Sequence, residues 1–100
     1  MQAGLTVIAR NFRCRGGELD LVLRDGSTVV VAEIRYRADN AFGTPAETVD
    51  GRKQWKLVTC AQRFLQAHPA LARAPLRFDV VALEGRSGRI DWIRDAFRAG

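Results

Sequence analysis

The sequence predicts one α/β domain built on a mixed five-stranded sheet with a helical crossover, and three observations predict it. Five short stretches are rich in alternating apolar residues, which is typical of strands. Asp25-Gly26 separates the second stretch from the third and indicates a tight antiparallel hairpin. A helical pattern separates the third stretch from the fourth, and this order makes those two strands parallel.

Length and composition narrow the class of protein. A chain of 100 residues fits a single domain. A formal net charge of +5 favours a polyanionic partner, nucleic acid first and an acidic membrane surface second, although a basic protein without such a partner has the same composition. No apolar run approaches the ~20 residues of a membrane span, and no signal-peptide pattern opens the chain. We therefore expect no membrane association and a cytoplasmic location.

Cysteine and histidine usage is sparse. Cys14 and Cys60 have neither metal-site spacing nor a disulfide framework around them, so we expect reduced thiols. His68 is the single histidine, which argues against a histidine-based metal centre or catalytic triad.

The elements can be placed in order along the chain. The first strand covers Leu5–Phe12, and a glycine-rich turn leads into the two hairpin strands, the second of which ends at Arg37. A capping-box pattern at Thr44–Glu47 predicts a short helical turn. The remaining two strands are predicted at Arg77–Leu83 and Arg89–Ile93.

One long helix provides the crossover. Asp50 can cap it, and His68-Pro69 stops it after about Ala67. An apolar stripe with helical spacing would face the sheet, formed by Leu57, Val58, Ala61, Phe64 and Leu65. Gln54 begins this stripe and could hydrogen-bond a site at the sheet rim or simply satisfy a backbone group. A basic side, Arg52, Lys53, Lys56 and Arg63, would face solvent.

The hairpin carries the candidate site. With Asp25-Gly26 in the loop, residues whose numbers sum to 51 face each other, so Glu18 would oppose Glu33 and Asp20 would oppose Val31. Alternation then places four charged side chains on one face at one end of the hairpin: Glu18, Asp20, Glu33 and Arg35. Two carboxylates about 5 Å apart repel by roughly 3 kcal/mol at an effective dielectric near 20. Arg35, raised carboxylate pKa values or a metal ion should compensate.

Both faces of this hairpin are otherwise apolar, so both need a covering layer. The chain offers one long helix. We therefore expect the second face to be covered by the C-terminal segment, by something absent from this sequence, or by a second copy in a homodimer.

Several segments in order resemble one protein family. They are Arg15-Gly16-Gly17-Glu18-Leu19-Asp20-Leu21, Ala32-Glu33-Ile34-Arg35-Tyr36-Arg37, Phe42-Gly43-Thr44-Pro45-Ala46-Glu47, Arg52-Lys53-Gln54 and Arg77-Phe78-Asp79-Val80-Val81. Together they resemble the YraN-like family of uncharacterised bacterial proteins, which is similar to archaeal Holliday-junction resolvases. Those nucleases belong to the restriction-endonuclease-like PD-(D/E)xK superfamily.

The resemblance implies a restriction-endonuclease-like core and a metal site. Asp20 and Glu33 match the residues that hold a divalent metal, usually Mg²⁺, and Arg35 stands where the signature has lysine. The leading helix of that core carries an acidic residue and would precede Gln2, so we expect it to be missing from this sequence. Arginine stays protonated in proteins but can stabilise charge on a transferring phosphoryl group. Glu18 and Gln54 would orient water or backbone.

Three functions remain open at this stage. The first is a metal-dependent endonuclease acting on DNA, branched DNA in particular. The second is a nucleic-acid-binding module that keeps the fold without catalysis, which the replacement of lysine by Arg35 favours. The third is a protein-interaction subunit that uses the uncovered sheet face.

Overall fold

The computed structural model of the chain describes residues 4–37 and 49–98. Its elements are β1 (Leu5–Cys14), β2 (Gly17–Asp25), β3 (Thr28–Arg37), α1 (Gly51–Ala67), a 3₁₀ turn (Pro69–Leu71), β4 (Leu76–Glu84) and β5 (Ile90–Phe97). The five strands form one sheet in the order β1-β2-β3-β4-β5, in which β3 and β4 are parallel and the other neighbours antiparallel. The predicted mixed sheet with a helical crossover is confirmed, and the predicted helical turn at 44–47 lies outside the described residues.

The β2–β3 hairpin turns one residue later than the sequence indicated. Asp25 pairs with Thr28 and Val22 with Val31, so facing residues sum to 53 and the predicted sum of 51 is wrong. The two-residue loop is Gly26-Ser27, and Gly26 has φ +60°. A glycine with positive φ at the first loop position is what a type II′ turn requires. Because the shift is by two, the paired residues 21–25 and 28–32 keep their predicted faces. Leu19, before the paired segment, packs with Val22 and Val31 on the helix side and not with Leu23, so the alternation breaks there.

Helix α1 packs on one face of the sheet. The Asp50 side chain accepts a hydrogen bond from the backbone N of Lys53 at 2.9 Å, as expected of an N-cap. The helix ends at Ala67, before Pro69, as predicted. Its buried residues are Leu57, Cys60, Ala61 and Phe64, which join a cluster with strand residues such as Leu19, Val29, Val31 and Phe78. The helix therefore holds its N-terminal turn against the face of β3 that carries the candidate site.

The opposite face has a smaller apolar cluster of Leu23, Val30, Ala32 and Val81. Leu23, Val30 and Ala32 have no exposed surface within the single chain. The centre of this face is therefore not an open apolar surface. The homodimer stays a prediction, and this face offers a dimer less exposed apolar area than the sequence pattern suggested.

A disulfide bond joins Cys14 at the end of β1 to Cys60 in the middle of α1. Their Cα atoms lie 5.8 Å apart, within the usual range for a disulfide. The expectation of two reduced thiols is therefore wrong for this structure. The two cysteines are 46 positions apart in the chain, so their proximity could not be predicted from the sequence.

A polar network fixes β5 to the sheet through the buried Asp79. Its carboxylate accepts hydrogen bonds from Arg77 Nε at 2.9 Å, Trp92 Nε1 at 2.8 Å and the backbone N of Asp95 at 2.9 Å. Arg77 also donates to Asp25 Oδ2 at 3.0 Å, next to the hairpin turn. Strand β5 runs on to Phe97, beyond the predicted end at residue 93.

Candidate functional site

Asp20 and Glu33 come together where β2 and β3 separate. The backbone ladder between these strands stops at the Leu21–Ala32 pair. Beyond it, Asp20 Oδ2 accepts a hydrogen bond from the backbone N of Ile34 at 3.0 Å, so a side-chain carboxylate takes over from the ladder. The Asp20 carboxyl group is close enough to Glu33 to raise the pKa of Glu33. We call these two residues the acidic pair.

The register decides which carboxylates meet. Because facing residues sum to 53, Glu33 lies next to Asp20 and not opposite Glu18 as predicted. Glu18 pairs instead with Arg13 on β1, two residues further along the strand. The structure therefore brings Asp20, Glu33 and Arg35 together and leaves Glu18 outside the acidic pair.

Glu33 is an unusual carboxyl group because only 4% of its surface is exposed. Burial and the neighbouring Asp20 carboxyl group raise the pKa of Glu33 from 4.5 to about 7, against an opposing effect of Lys53. Two carboxylates held this close, with one partly protonated near neutral pH, are typical of a site that binds a cation.

Two cations reach the same oxygen of Glu33. Lys53 Nζ lies 3.2 Å from Glu33 Oε2, and Arg35 Nε lies 4.0 Å from it. The prediction that Lys53 faces solvent holds in part, because its side chain is 38% exposed while its ammonium also reaches Glu33. The helical spacing indicates this contact, because Lys53 lies four residues before Leu57 and seven before Cys60, both of which are buried.

Gln54 does not reach the acidic pair by any contact that the structure shows. Its Nε2 donates a hydrogen bond to the backbone carbonyl of Val49 at 2.9 Å. This is the backbone-satisfying alternative that the sequence left open, and the geometry gives Gln54 a part in holding the entry to α1.

Open pockets lie on two sides of the acidic pair. One, of about 500 Å³, is lined by Arg35, Asp50, Arg52, Lys53 and Lys56, and we call it the basic pocket. The other, of about 350 Å³, is lined by Val7, Arg10, Asn11, Asp20, Leu21 and Ile34. Among the described residues of α1, no acidic side chain offsets the positive charge of Arg52, Lys53, Lys56 and Arg63. Anionic groups are therefore attracted to the side of the acidic pair that α1 borders.

The residues present fit a magnesium ion. Within residues 4–37 and 49–98, no group of three or more His, Cys, Asp or Glu side chains could hold a metal, so the acidic pair would act with two carboxylates. Mg²⁺ is commonly bound by one or two carboxylates, with water and substrate phosphates completing its octahedron. Burial and the neighbouring Asp20 raise the pKa of Glu33, so a bound cation would stabilise its carboxylate form.

Within the same described ranges, no helix is both long and apolar enough to cross a membrane.

Comparison with known proteins identifies the family. The model of "Uncharacterised protein family UPF0102" matches residues 1–83. A "UPF0102 protein" of Xanthomonas oryzae pv. oryzae (strain PXO99A) is 58% identical over 98 residues, covering 98% of this chain and 80% of the relative. A "UPF0102 protein" of Stutzerimonas stutzeri (strain A1501) is 52% identical over 99 residues, covering 97% of this chain and 82% of the relative. The chain belongs to the uncharacterised bacterial protein family UPF0102.

Proposed function

We propose that this protein is a metal-dependent endonuclease-like protein that acts on DNA, with Asp20 and Glu33 as the ligands of a divalent cation, Mg²⁺ first. One observation carries the proposal: a buried carboxyl group with a pKa raised to about 7 lies against a second carboxylate at the border of a basic pocket. A restriction-endonuclease-like core, implied by the sequence resemblance, supports it.

The proposed reaction is hydrolysis of a phosphodiester. The oxygen of a water molecule bonds to phosphorus, one P–O bond breaks, the leaving oxygen takes up a proton, and the other proton of the water goes to solvent. Bound Mg²⁺ would supply Lewis-acid stabilisation of phosphate charge and lower the pKa of water. Asp20 and Glu33 would hold the ion, and the guanidinium of Arg35 would stabilise negative charge on the phosphate.

A second candidate function rests on its own observation. Lys53 and Arg35 already place positive charge on Glu33 without a metal. A non-catalytic nucleic-acid-binding module would keep this arrangement and bind phosphates in the basic pocket. Its binding would weaken with salt and would not depend on Mg²⁺.

Calorimetric titration of Mg²⁺ and Mn²⁺ tests the metal site. We expect the wild type to bind Mn²⁺ and Asp20→Asn to lose that binding, whereas Asp91→Asn, which alters an ion pair on β5, keeps it. The absence of metal binding by the wild type, with or without DNA, would overturn the metal-dependent proposal. The same absence with salt-sensitive DNA binding intact would favour the non-catalytic module.

A cleavage assay with a four-way junction and a linear duplex of the same sequence tests the activity. We expect Mg²⁺-dependent nicking by the wild type, none by Asp20→Asn, and a preference for the branched substrate. Arg35→Lys is the informative variant at Arg35, where the nuclease signature has lysine. Lysine keeps the positive charge but lacks the planar guanidinium. Metal binding without cleavage of either DNA would leave the binding module as the function.

A further inference from the structure

Lys53 is the cation nearest to Glu33 and lies on a different element from it. Its Nζ lies 3.2 Å from Glu33 Oε2, while Arg35 lies on the same strand as Glu33 with its Nε 4.0 Å away. The Lys53 side chain is 38% exposed, and it also lines the basic pocket. One ammonium group therefore has access both to the acidic pair and to an open space lined by other cations.

The fold fixes the backbone of Lys53, while its side chain is 38% exposed. Its backbone N donates to Asp50 Oδ1 at 2.9 Å within the N-cap of α1, so the Cα position is held. The lysine side chain has a flexible four-carbon stem and ends in an ammonium group with three hydrogen-bond donors. The ammonium can therefore contact either Glu33 or an anion in the basic pocket. The guanidinium of Arg35 is planar and starts from a strand residue paired with Ala82, which restricts it more.

A divalent cation and Lys53 cannot share Glu33 without strong repulsion. Both are positive, and at separations near 4 Å the interaction is large even at an effective dielectric of 20. A metal held by Asp20 and Glu33 would therefore displace the ammonium from Glu33. The basic pocket is unfavourable for a further cation unless an anion is present there, because Arg35, Arg52 and Lys56 also line it.

We propose that Lys53 is an exchangeable counter-ion: it neutralises Glu33 when no metal is bound, and it turns into the basic pocket to hold a phosphate group when a divalent cation takes its place. The inference rests on the proposed function, since it uses the same metal site and the same phosphate-bearing ligand. Metal and nucleic acid then increase each other's affinity. The metal displaces Lys53 from Glu33, and a phosphate of the nucleic acid binds the displaced ammonium in the basic pocket.

The test compares two lysines of the same helix and the same pocket. Lys53→Met removes the counter-ion, whereas Lys56→Met removes the same charge from the basic pocket, and Lys56 has no contact with Glu33 among the ion pairs of the structure. Mn²⁺ affinity is measured by calorimetry for both variants and the wild type, with and without a short DNA duplex, and circular dichroism confirms folding. Lys53→Arg is a second variant that keeps the positive charge.

For the protein alone, we expect Lys53→Met to bind Mn²⁺ roughly five- to tenfold more tightly than the wild type, because no ammonium competes for Glu33. Lys56→Met should stay within about twofold of the wild type. DNA should raise the Mn²⁺ affinity of the wild type several-fold, and this coupling should disappear in Lys53→Met. Lys56→Met, which removes a charge of the basic pocket, should weaken DNA binding itself but retain a coupling. Lys53→Arg should retain the competition seen in the wild type.

Repeating the Mn²⁺ titration in inorganic phosphate distinguishes a single phosphate group from the nucleic-acid backbone as the anion that Lys53 binds. If millimolar phosphate reproduces the coupling, a single phosphate group is the partner of Lys53; if only DNA does, the nucleic-acid backbone is the partner. Equal Mn²⁺ affinities and equal coupling for Lys53→Met and Lys56→Met would overturn the counter-ion role and leave an Asp20-dependent metal site standing. A wild type that binds no Mn²⁺ would remove the metal site and the counter-ion role together.

Discussion

Two buried carboxyl groups lie on neighbouring parallel strands and have opposite surroundings. Asp79 on β4 is fully buried and accepts hydrogen bonds from Arg77, from the Trp92 indole and from the backbone N of Asp95. Glu33 on β3 is 4% exposed, and its nearest anionic neighbour is the carboxyl group of Asp20. The two sites are one register step apart, because Asp79 pairs with Ala32.

The comparison separates a structural carboxylate from a functional one. The donors around Asp79 replace the hydrogen bonds to water that burial removes. At Glu33, burial and Asp20 disfavour ionisation and raise the pKa to about 7, although Lys53 opposes them. A carboxylate surrounded by donors holds the fold together, whereas the one held against another carboxylate is the one that we propose binds a cation.

The largest effect should come from Asp79→Ala. It leaves the Arg77 guanidinium with one partner fewer and removes acceptors from Trp92 and the Asp95 backbone, so we expect a loss of roughly 3–5 kcal/mol in the free energy of unfolding. Urea denaturation measures it. Asp91→Ala, at a more exposed ion pair, should change stability by less than about 1 kcal/mol. Similar losses for the two variants would contradict a structural role specific to Asp79.

Glu33→Gln should change how stability depends on pH. The pKa of Glu33 is raised from 4.5 to about 7 in the folded state, so its contribution is fully present below pH 4.5 and is lost as the pH rises through 7. The wild type should therefore lose on the order of 3 kcal/mol between pH 4.5 and 8 from this group. Glu33→Gln should lack that loss and be the more stable protein at pH 8 without metal.

Denaturation curves at closely spaced pH values measure this difference. Glu84→Gln is the matched control, because Glu84 is partly exposed at the end of β4 and accepts a hydrogen bond from Ser87. It should follow the wild-type profile. A wild-type profile that does not differ from that of Glu33→Gln between pH 5 and 8 would show that Glu33 ionises normally.

Metal affinity should also follow the ionisation of Glu33, with a smaller effect. A cation needs the carboxylate form, and a group with a pKa of about 7 is roughly tenfold less ionised at pH 6 than at pH 8. We expect Mn²⁺ to bind about tenfold more weakly at pH 6 than at pH 8. Calorimetry at the two pH values checks this, and equal affinities would place the metal away from Glu33.

The smallest effect should come from Asp20→Asn on stability. An asparagine side-chain oxygen can still accept the hydrogen bond from the backbone N of Ile34, so the end of the β2–β3 ladder should remain intact. Removing the neighbouring charge should lower the pKa of Glu33 while changing the unfolding free energy by about 1 kcal/mol or less at pH 7. Carbon-detected NMR of Glu33 reports the pKa, and an unchanged value would mean that burial alone raises it.

Local sequence chemistry predicted most of the fold, and long-range contacts account for what it missed. Asp50, Pro69 and the apolar stripe fixed the limits of α1 because caps and helix stops act within a few residues. The hairpin was placed with the wrong register because Asp25-Gly26 and Gly26-Ser27 are both acceptable two-residue turns. The faces of the paired residues survived this error because the shift was even.

The sequence predicted the strand residues of the candidate site but not the contact of the helix residue Lys53 with Glu33. Alternation placed Asp20, Glu33 and Arg35 together at one end of the hairpin, and the structure brings Asp20 and Arg35 to Glu33. The contact between Lys53 and Glu33 depends on how α1 packs across β3, which the sequence pattern of either element alone does not determine. The Cys14–Cys60 bond is of the same kind, since β1 and α1 meet only in the folded chain.

The most direct test of the acidic pair as a cation site is an NMR titration of the Glu33 carboxyl carbon, without metal and in millimolar Mg²⁺. We expect the pKa of Glu33 to be about 7 without metal. In the presence of Mg²⁺ this pKa should fall clearly, because a bound cation stabilises the carboxylate form. A pKa near 4.5 without metal, or one that Mg²⁺ does not shift, would contradict a cation site at the acidic pair.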